Sequence, residues 1–510
     1  MRVRPAPHLV PITLAALALT ACAPAQVSFT CAEGEPLCDL VAVMNDQRTE
    51  ATGIDIVGVY LYQAVEIPLM ESLVSSPVPT TPVVAGRDTL FRVAVVPHED
   101  FQARDLTGRL YFYRDGKAFA AYQTDVTVSG ASSMSELDST FNLRVAGSVL
   151  QPGVSWAAEI VEQKHENGGG EAAGYAAWPE GSDEPIEVTE GAELVRVLLV
   201  PVQYNADGSG RVPDTSGDMV EFYRQYFWAH YPTAEVEMIV GDQLAWSGSV
   251  GAMDTGGWSN LLSAVAESRA QQGADDDMYL YGVFNPSDEF GSFCGGGCIA
   301  GLSTVAHSAT DAWSRASIGL GYGGETTSST MVHEIGHAHG LWHAPCGNPD
   351  SVDPSFPYDD GSLGVRGYDL RAEALRESSA YYDMMSYCSP TFISDYHFDK
   401  LHTRVKAVSD TYFSGGPGLP YWALWAMPDG SLRWGRDRSL RQPPGGVTRT
   451  VELLDAEGGV VARVLASWSP FSEGEGGSLS FPAPRAEVVA ARVDGELSPL
   501  RPPTVRDPTW

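Results

Sequence analysis

The chain has 510 residues, with 65 acidic against 32 basic side chains and a formal net charge of -33. Such a surface repels nucleic acid and anionic lipid, which sets polyanion-binding functions aside. Beyond the first two dozen residues no apolar run is long enough to span a bilayer, and the length suits about three domains.

The first segment reads as an export signal over residues 1–21. Arg2 and Arg4 give a positive start, and Leu9 to Ala21 is an apolar stretch too short for a mature membrane anchor. The stretch ends in Leu19-Thr20-Ala21-Cys22, which resembles a bacterial lipobox. That likeness implies cleavage before Cys22 and lipidation of its thiol. An ordinary signal peptide with an incidental cysteine is the alternative. Ala23, not an acidic residue, comes next; by analogy with Gram-negative lipoprotein sorting this favours the outer membrane or cell surface. Membrane contact is then expected through the N-terminal lipid alone.

Residues 22–49 form a lipidated lead with a small loop between Cys31 and Cys38. Residues 50–190 are rich in alternating β patterns. Ile54–Tyr62 and Leu90–Val96 are expected strands, and Leu110–Tyr113 ends in the turn Arg114-Asp115-Gly116-Lys117. With few helical patterns this region reads as a β-sandwich. Asn167-Gly168-Gly169-Gly170 marks a turn or loop, and residues 181–193 look like a linker.

Residues 191–412 then alternate strands and helices, an α/β (α+β) pattern. Val195–Val202 is a nearly continuous apolar run, as expected of a buried strand. Met219, Phe222, Tyr223 and Tyr226 share a helix face, as do Trp258, Leu261, Leu262 and Val265. Val236–Val240, Met278–Phe284 and Arg315–Tyr322 read as strands. Phe398, Leu401, Val405 and Val408 mark a closing helix, with Ser394 as its cap. A Gly-rich linker follows at 414–418. Residues 413–510 carry short strands, at Tyr421–Trp425, Ser431–Trp434, Thr448–Leu454 and Val460–Trp468, and read as a second β-sandwich. Its Trp422, Trp425, Trp434 and Trp468 are expected in a core more than on sugars.

Within the α/β region, His333-Glu334-Ile335-Gly336-His337-Ala338-His339-Gly340-Leu341-Trp342-His343 reads H-E-x-x-H-x-x-G-x-x-H. On a helix, His333 and His337 project from one face and can reach one metal ion. Glu334 is rotated away from direct ligation but close enough to hold a water. Gly340 can take a left-handed conformation, end the helix and bring in His343 as third ligand. Three neutral nitrogens leave a coordination position open, the mark of a catalytic zinc. Ser328, Ser329 and Thr330 are N-cap candidates for this helix. His339 should point away from the metal. His230, His307, His397 and His402 lack ligand spacing and are expected at surface or helix positions.

The motif resembles that of the metzincin zinc endopeptidases. The clan has a second mark, a Met-containing turn after the third histidine, and Asp383-Met384-Met385-Ser386-Tyr387-Cys388 looks like it. The segment is similar to the Met-Ser-Tyr turn of serralysins, and astacins place a Tyr at the same offset. The resemblance covers about 195–410 and implies Met385 beneath the zinc, with Met384 the alternative register. It also makes Tyr387 a candidate metal-side ligand and oxyanion donor. In metzincins the strand before the zinc helix is a sheet edge lining the cleft, so Arg315–Tyr322 is expected to pair with an extended substrate. The arrangement of the chain also has a weaker likeness to large secreted bacterial metzincins, including mucin-degrading ones.

Removing Cys22 leaves six cysteines, an even number suited to an oxidising compartment. Of their possible pairings, the local ones are favoured: Cys31–Cys38, Cys294–Cys298 and Cys346–Cys388. The last would tie the third-ligand loop to the Met-turn. A cysteine metal site is the weaker reading, because the spacings do not match zinc-finger patterns. The Asp-rich loop 348–360, with Asp350, Asp353, Asp359 and Asp360, could hold Ca²⁺ or simply be solvated.

The expected function is zinc-dependent hydrolysis of peptide bonds in extracellular proteins or glycoproteins. Glu334 would take the proton of a zinc-activated water and pass it to the leaving amine. One alternative is a non-catalytic, adhesin-like surface lipoprotein carrying an inactive protease module; the intact Glu334 argues against it. A zinc amidase or deacetylase acting on glycans is less favoured, since the Met-turn belongs to peptidases.

Overall fold

Alternation of apolar and polar side chains along Ile54–Tyr62 buries one face of a strand between Glu66–Glu71 and Thr89–Pro97. In the computed structural model, which describes residues 40–501 apart from 41, 77, 78, 80, 164–173, 193, 415–417 and 486, these strands join a five-stranded sheet. A second sheet contains Arg104–Arg114 and Lys117–Val128, joined by the expected hairpin. Asp115 and Gly116 there have φ of 51° and 68°, the left-handed pair that a tight hairpin demands. Phe91 of one sheet meets Phe112 of the other edge to face at 5.5 Å, so the two pack as a sandwich. The expected export segment, Cys22, the expected Cys31–Cys38 pair and the loop 167–170 lie outside the described residues.

The next unit is built on one mixed sheet. Its elements are β1 (Leu194–Tyr204), α1 (Gly217–His230), β2 (Glu235–Val240), α2 (Thr255–Glu267), β3 (Tyr279–Phe284), β4 (Gly301–Ser303), β5 (Ala316–Leu320), α3 (Gly324–Ala338) and α4 (Asp395–Ser414). The main strand order is β2-β1-β3-β5-β4, parallel except for β4, which runs antiparallel at the edge. Helices cover both faces. Val195, Val197 and Leu199 of β1 share a core with α1 and α3, whereas Leu198, Val200 and Val202 share one with α2. Both faces are therefore buried, which explains the continuous apolar run.

Two expectations change here. The strand before the zinc-motif helix, β5, is internal, because β4 pairs along its far side. With three residues and a glycine, β4 is too short to show a periodic pattern. Ser328, Ser329 and Thr330 are not caps: α3 starts a turn and a half earlier, after Gly323 with its φ of 81°. Ser328 and Thr330 instead donate their hydroxyls to the carbonyls of Gly324 and Thr326, four residues back, and so sit within the helix. Ser394 does cap α4, its Oγ accepting from the His397 amide at 3.2 Å.

The C-terminal unit includes β6 (Val460–Pro470) and β7 (Gly477–Pro482). It departs from a two-sheet sandwich. Its strands form one antiparallel eight-stranded sheet, whose apolar residues, among them Leu424, Val451, Trp468 and Phe481, gather into a single core. Trp425 and Trp468 are buried, and Trp422 and Trp434 pack partly exposed against that core. Trp425 also donates to Glu267 of α2 at 2.8 Å, docking this sheet on the central unit. The whole is a multidomain, β-rich protein. Among the described residues no helix is long and apolar enough to cross a membrane.

Candidate metal centre

Helix α3 presents His333 and His337 one turn apart, and its end is set by Gly340. That residue has a φ of 93°; its amide donates to His337 O (2.7 Å) and the Leu341 amide to Gly336 O (3.1 Å), the paired bonds of a Schellman stop. The chain reverses and brings His343 back. The Nε2 atom of His337 lies 3.2 Å from that of His333 and 3.2 Å from that of His343. Among the described residues these three form the group of His, Cys, Asp or Glu side chains that could hold a metal ion.

The opposite ring nitrogens fix the tautomers. Nδ1 of His333 faces Met384 O at 2.8 Å, that of His337 faces Leu341 O at 2.8 Å, and that of His343 faces Asp350 O at 2.5 Å. A carbonyl only accepts, so each Nδ1 carries the proton and donates it. Every Nε2 is then a lone pair, and three lone pairs converge with no proton between them. This donor set fits a cation, and imidazole nitrogen in threes suits zinc. Burial first, then His343, pushes His333 down to about 4, and the same causes push His337 well below its usual value. Both are held neutral, as ligation requires.

Below the histidines lies the turn of Asp383 to Cys388. Met385 is fully buried, and its amide donates to Asp383 Oδ1 at 2.7 Å. Met385, not Met384, lies closest to the zinc-motif helix at Gly336. The Ala344 amide donates to Met385 O at 3.0 Å, and Cys346 is bonded to Cys388 with Cα atoms 5.7 Å apart. With the Tyr387 amide also donating to Cys346 O at 3.3 Å, the loop after His343 is fastened to this turn three times. A second disulfide joins Cys294 and Cys298. The ring of Tyr387 stands 4.9 Å from that of His343 and 6.2 Å from that of His333.

Glu334 is buried against Gly301 of β4, where any side chain would collide with its carboxylate. Burial, and then the negative charge of Glu473, raises its carboxyl well above the usual value. Its Oε2 has no hydrogen-bond partner among the described residues and is free to take a proton.

Glu473 is a residue that no sequence pattern singles out. It comes from the β6–β7 turn of the C-terminal sheet, where no local spacing links it to the motif. Its carboxylate accepts the Tyr387 hydroxyl and lies 3.3 Å from His343 Nε2.

The remaining candidates fall away from the centre. His339 stacks on Tyr279 with ring centroids 3.9 Å apart and bonds to Ile335 O. His230, His397 and His402 lie on helices but are buried, not at the surface, while His307 is in a loop. His397 braces the Met385 turn from beneath, with its Nδ1 2.7 Å from Asp383 Oδ1. A lone histidine on a helix gives no sign of such a partner. The loop carboxylates form no site of three or more donors among the described residues. Asp353 instead pairs with Lys400 at 2.6 Å and accepts from Tyr396.

Residues 298–401, which hold the three histidines, Glu334 and the Met385 turn, match the family model for Peptidase M66. This supports a metallopeptidase family for that segment. No curated protein matches the chain. Among solved structures, a putative β-galactosidase from Bacteroides fragilis aligns over 46% of this chain and 40% of its own length, at 10% identity and a TM-score of 0.16. A β-glucuronidase from glycoside hydrolase family 2 aligns over 87% and 62%, at 9% identity and a TM-score of 0.18. The chain therefore spans less than two thirds of either protein.

Proposed function

We propose that this chain is a zinc-dependent endopeptidase of metzincin type. The observation that carries the reading is the convergence of three Nε2 lone pairs, each backed by a carbonyl on Nδ1, beside a buried carboxylate. His333, His337 and His343 would hold the ion. Bound there, zinc supplies Lewis acidity toward a water and a peptide carbonyl.

The chain's own groups do the rest. Glu334, with its pKa raised, accepts the proton of the attacking water and delivers it to the leaving amine. Tyr387 stands beside the ligands and can donate its hydroxyl to the developing oxyanion. Met385 and the bond between Cys346 and Cys388 hold the floor on which His333 and His343 rest. The substrates are taken to be extracellular proteins or glycoproteins, with the enzyme exported and held at the membrane by a lipid on Cys22.

The test is zinc content together with proteolysis, on the form starting at Ala23. A peptide library and a mucin-type glycoprotein are offered, with and without chelator. One zinc per chain, chelator-sensitive cleavage and loss of hydrolysis by orders of magnitude in Glu334→Ala, with zinc retained, are expected. Full activity in Glu334→Ala would overturn the mechanism. Zinc without cleavage of any substrate would favour the adhesin-like binding protein.

A further inference from the structure

The hairpin tip that carries Glu473 is built into the cleft. Pro470 of β6 pairs with Gly477 of β7, and Gly474 between them has a φ of 70°, which turns the chain back. The tip is bonded to edge strand β4 and the residues after it. The Ser472 amide donates to Ser303 O at 2.8 Å, the Ser303 amide to Ser472 Oγ at 3.0 Å, and the Val305 amide to Pro470 O at 2.7 Å. Phe471 is buried, stacks on Trp425 and shares a core with Leu302 and Trp258 of the central unit. Unseating the tip would open that core, so the tip is a fixed wall. An extended peptide cannot add to β4 at Ser303, whose outward amide and carbonyl are already taken. Recognition on this side of the site falls to the side chains of the wall.

Glu473 is the side chain that the wall presents at the metal centre. Its Oε1 accepts from the Tyr387 hydroxyl and stands beside His343. Its Oε2 has no hydrogen-bond partner among the described residues, and the side chain is partly exposed, so this oxygen is available to a substrate. Among the described residues Glu473 has no Lys or Arg as ion-pair partner. The surrounding charge has the same sign. Burial first, then the negative charges of Glu473, Glu334 and Asp350, push the Tyr387 hydroxyl above its usual value. A half-desolvated carboxylate with a vacant oxygen binds a cationic donor best, and an acidic side chain in the same place meets like charge.

We propose that Glu473 is a specificity-determining residue, which receives a Lys or Arg side chain of the substrate beside the scissile bond. This rests on the peptidase reading above. The C-terminal sheet is then one wall of the substrate cleft, and it selects by charge where strand pairing along β4 is closed.

The test uses the form starting at Ala23, loaded with zinc, as wild type, Glu473→Gln and Glu473→Lys. Zinc content and Tm establish that all three are folded. A mixed peptide library is digested and the cut sites are read by mass spectrometry. Wild type should favour Lys or Arg over Asp or Glu directly beside the cut by roughly ten-fold. Glu473→Gln should flatten that preference, and Glu473→Lys should reverse it, which a merely structural role for Glu473 would not do. Labelled peptides carrying Lys or Glu at that place are also bound to Glu334→Ala, where nothing is cut, and followed by fluorescence anisotropy. The Lys peptide should bind more tightly, and less so as salt is raised. Cleavage by wild type without a charge preference, or with one unchanged in Glu473→Lys, would overturn the proposal and leave the peptidase intact. Absence of both cleavage and peptide binding would overturn the peptidase reading, and this proposal with it.

Discussion

Met385 fills the space that a side chain at residue 336 would need: a Cβ added to Gly336 would lie 2.6 Å from the Met385 sulfur. The zinc-motif helix and the turn beneath it therefore touch through a missing side chain. The adjacent carbonyl of Met384 orients His333. Gly336→Ala should push the turn away and turn the His333 ring. Overpacking of this kind costs about 1–3 kcal/mol. The expected outcome is a lower Tm together with zinc affinity reduced ~10-fold by chelator competition. Unchanged affinity would show that the contact does not position the ligand.

Gly301 stands in the same relation to Glu334. A Cβ there would be 2.5 Å from both Cγ and Oε1 of the carboxylate. Gly301→Ala should displace Glu334 and leave the histidines in place. We expect kcat/KM to fall ~100-fold with zinc stoichiometry unchanged, since a small misplacement of a reacting group is costly. A normal kcat/KM would mean that Glu334 works from another rotamer.

The bond between Cys346 and Cys388 closes 42 residues of chain around the metal loop. Replacing both cysteines with serine should lower stability by about 2–4 kcal/mol, read by denaturant titration under oxidising conditions. An unaltered midpoint would show that the bridge does not support the site.

His230 offers a pH test away from the metal. Burial, its main cause, pushes His230 down to about 4 from its ordinary value of 6.5. The unfolded chain binds a proton between those values that the folded chain refuses. Stability associated with the neutral ring is therefore full above about pH 6.5 and is lost as pH falls through about 4. His230→Phe keeps the stacking on Tyr226 and removes the titration. Between pH 7 and pH 4.5 its Tm should fall less than that of the wild type. Parallel falls would assign the acid sensitivity to other groups.

What could be read from the sequence was whatever is local. The spacing of His333, His337 and His343 and the glycine at 340 dictate the ligand geometry, because helix periodicity and a left-handed stop leave little freedom. Val195–Val202 announced a doubly covered strand for the same reason. Edge strand β4 escaped notice because Gly301–Ser303 is too short to carry a period. Glu473 could not be found at all: it reaches His343 only through the docking of a separate sheet on α2, by contacts such as Trp425 with Glu267. Likewise, the bracing of Asp383 by His397 joins residues of a turn and a helix that share no motif.

The apolar core of the leading sandwich continues without a break into the central unit, from Ile54 and Phe91 through Val197 and Tyr281 to Ile335 and Val405. Buried Arg87 of the sandwich donates to Thr233 O at 2.6 Å and Trp228 O at 2.8 Å across the boundary. A chain shortened to begin near residue 190 would expose the apolar face on which the sandwich packs and leave those carbonyls bare. The two lobes should then behave as one cooperative block in calorimetry, melting in a single transition. The leading lobe is in that sense not a spacer but a continuation of the same core in which the zinc-motif helix is set.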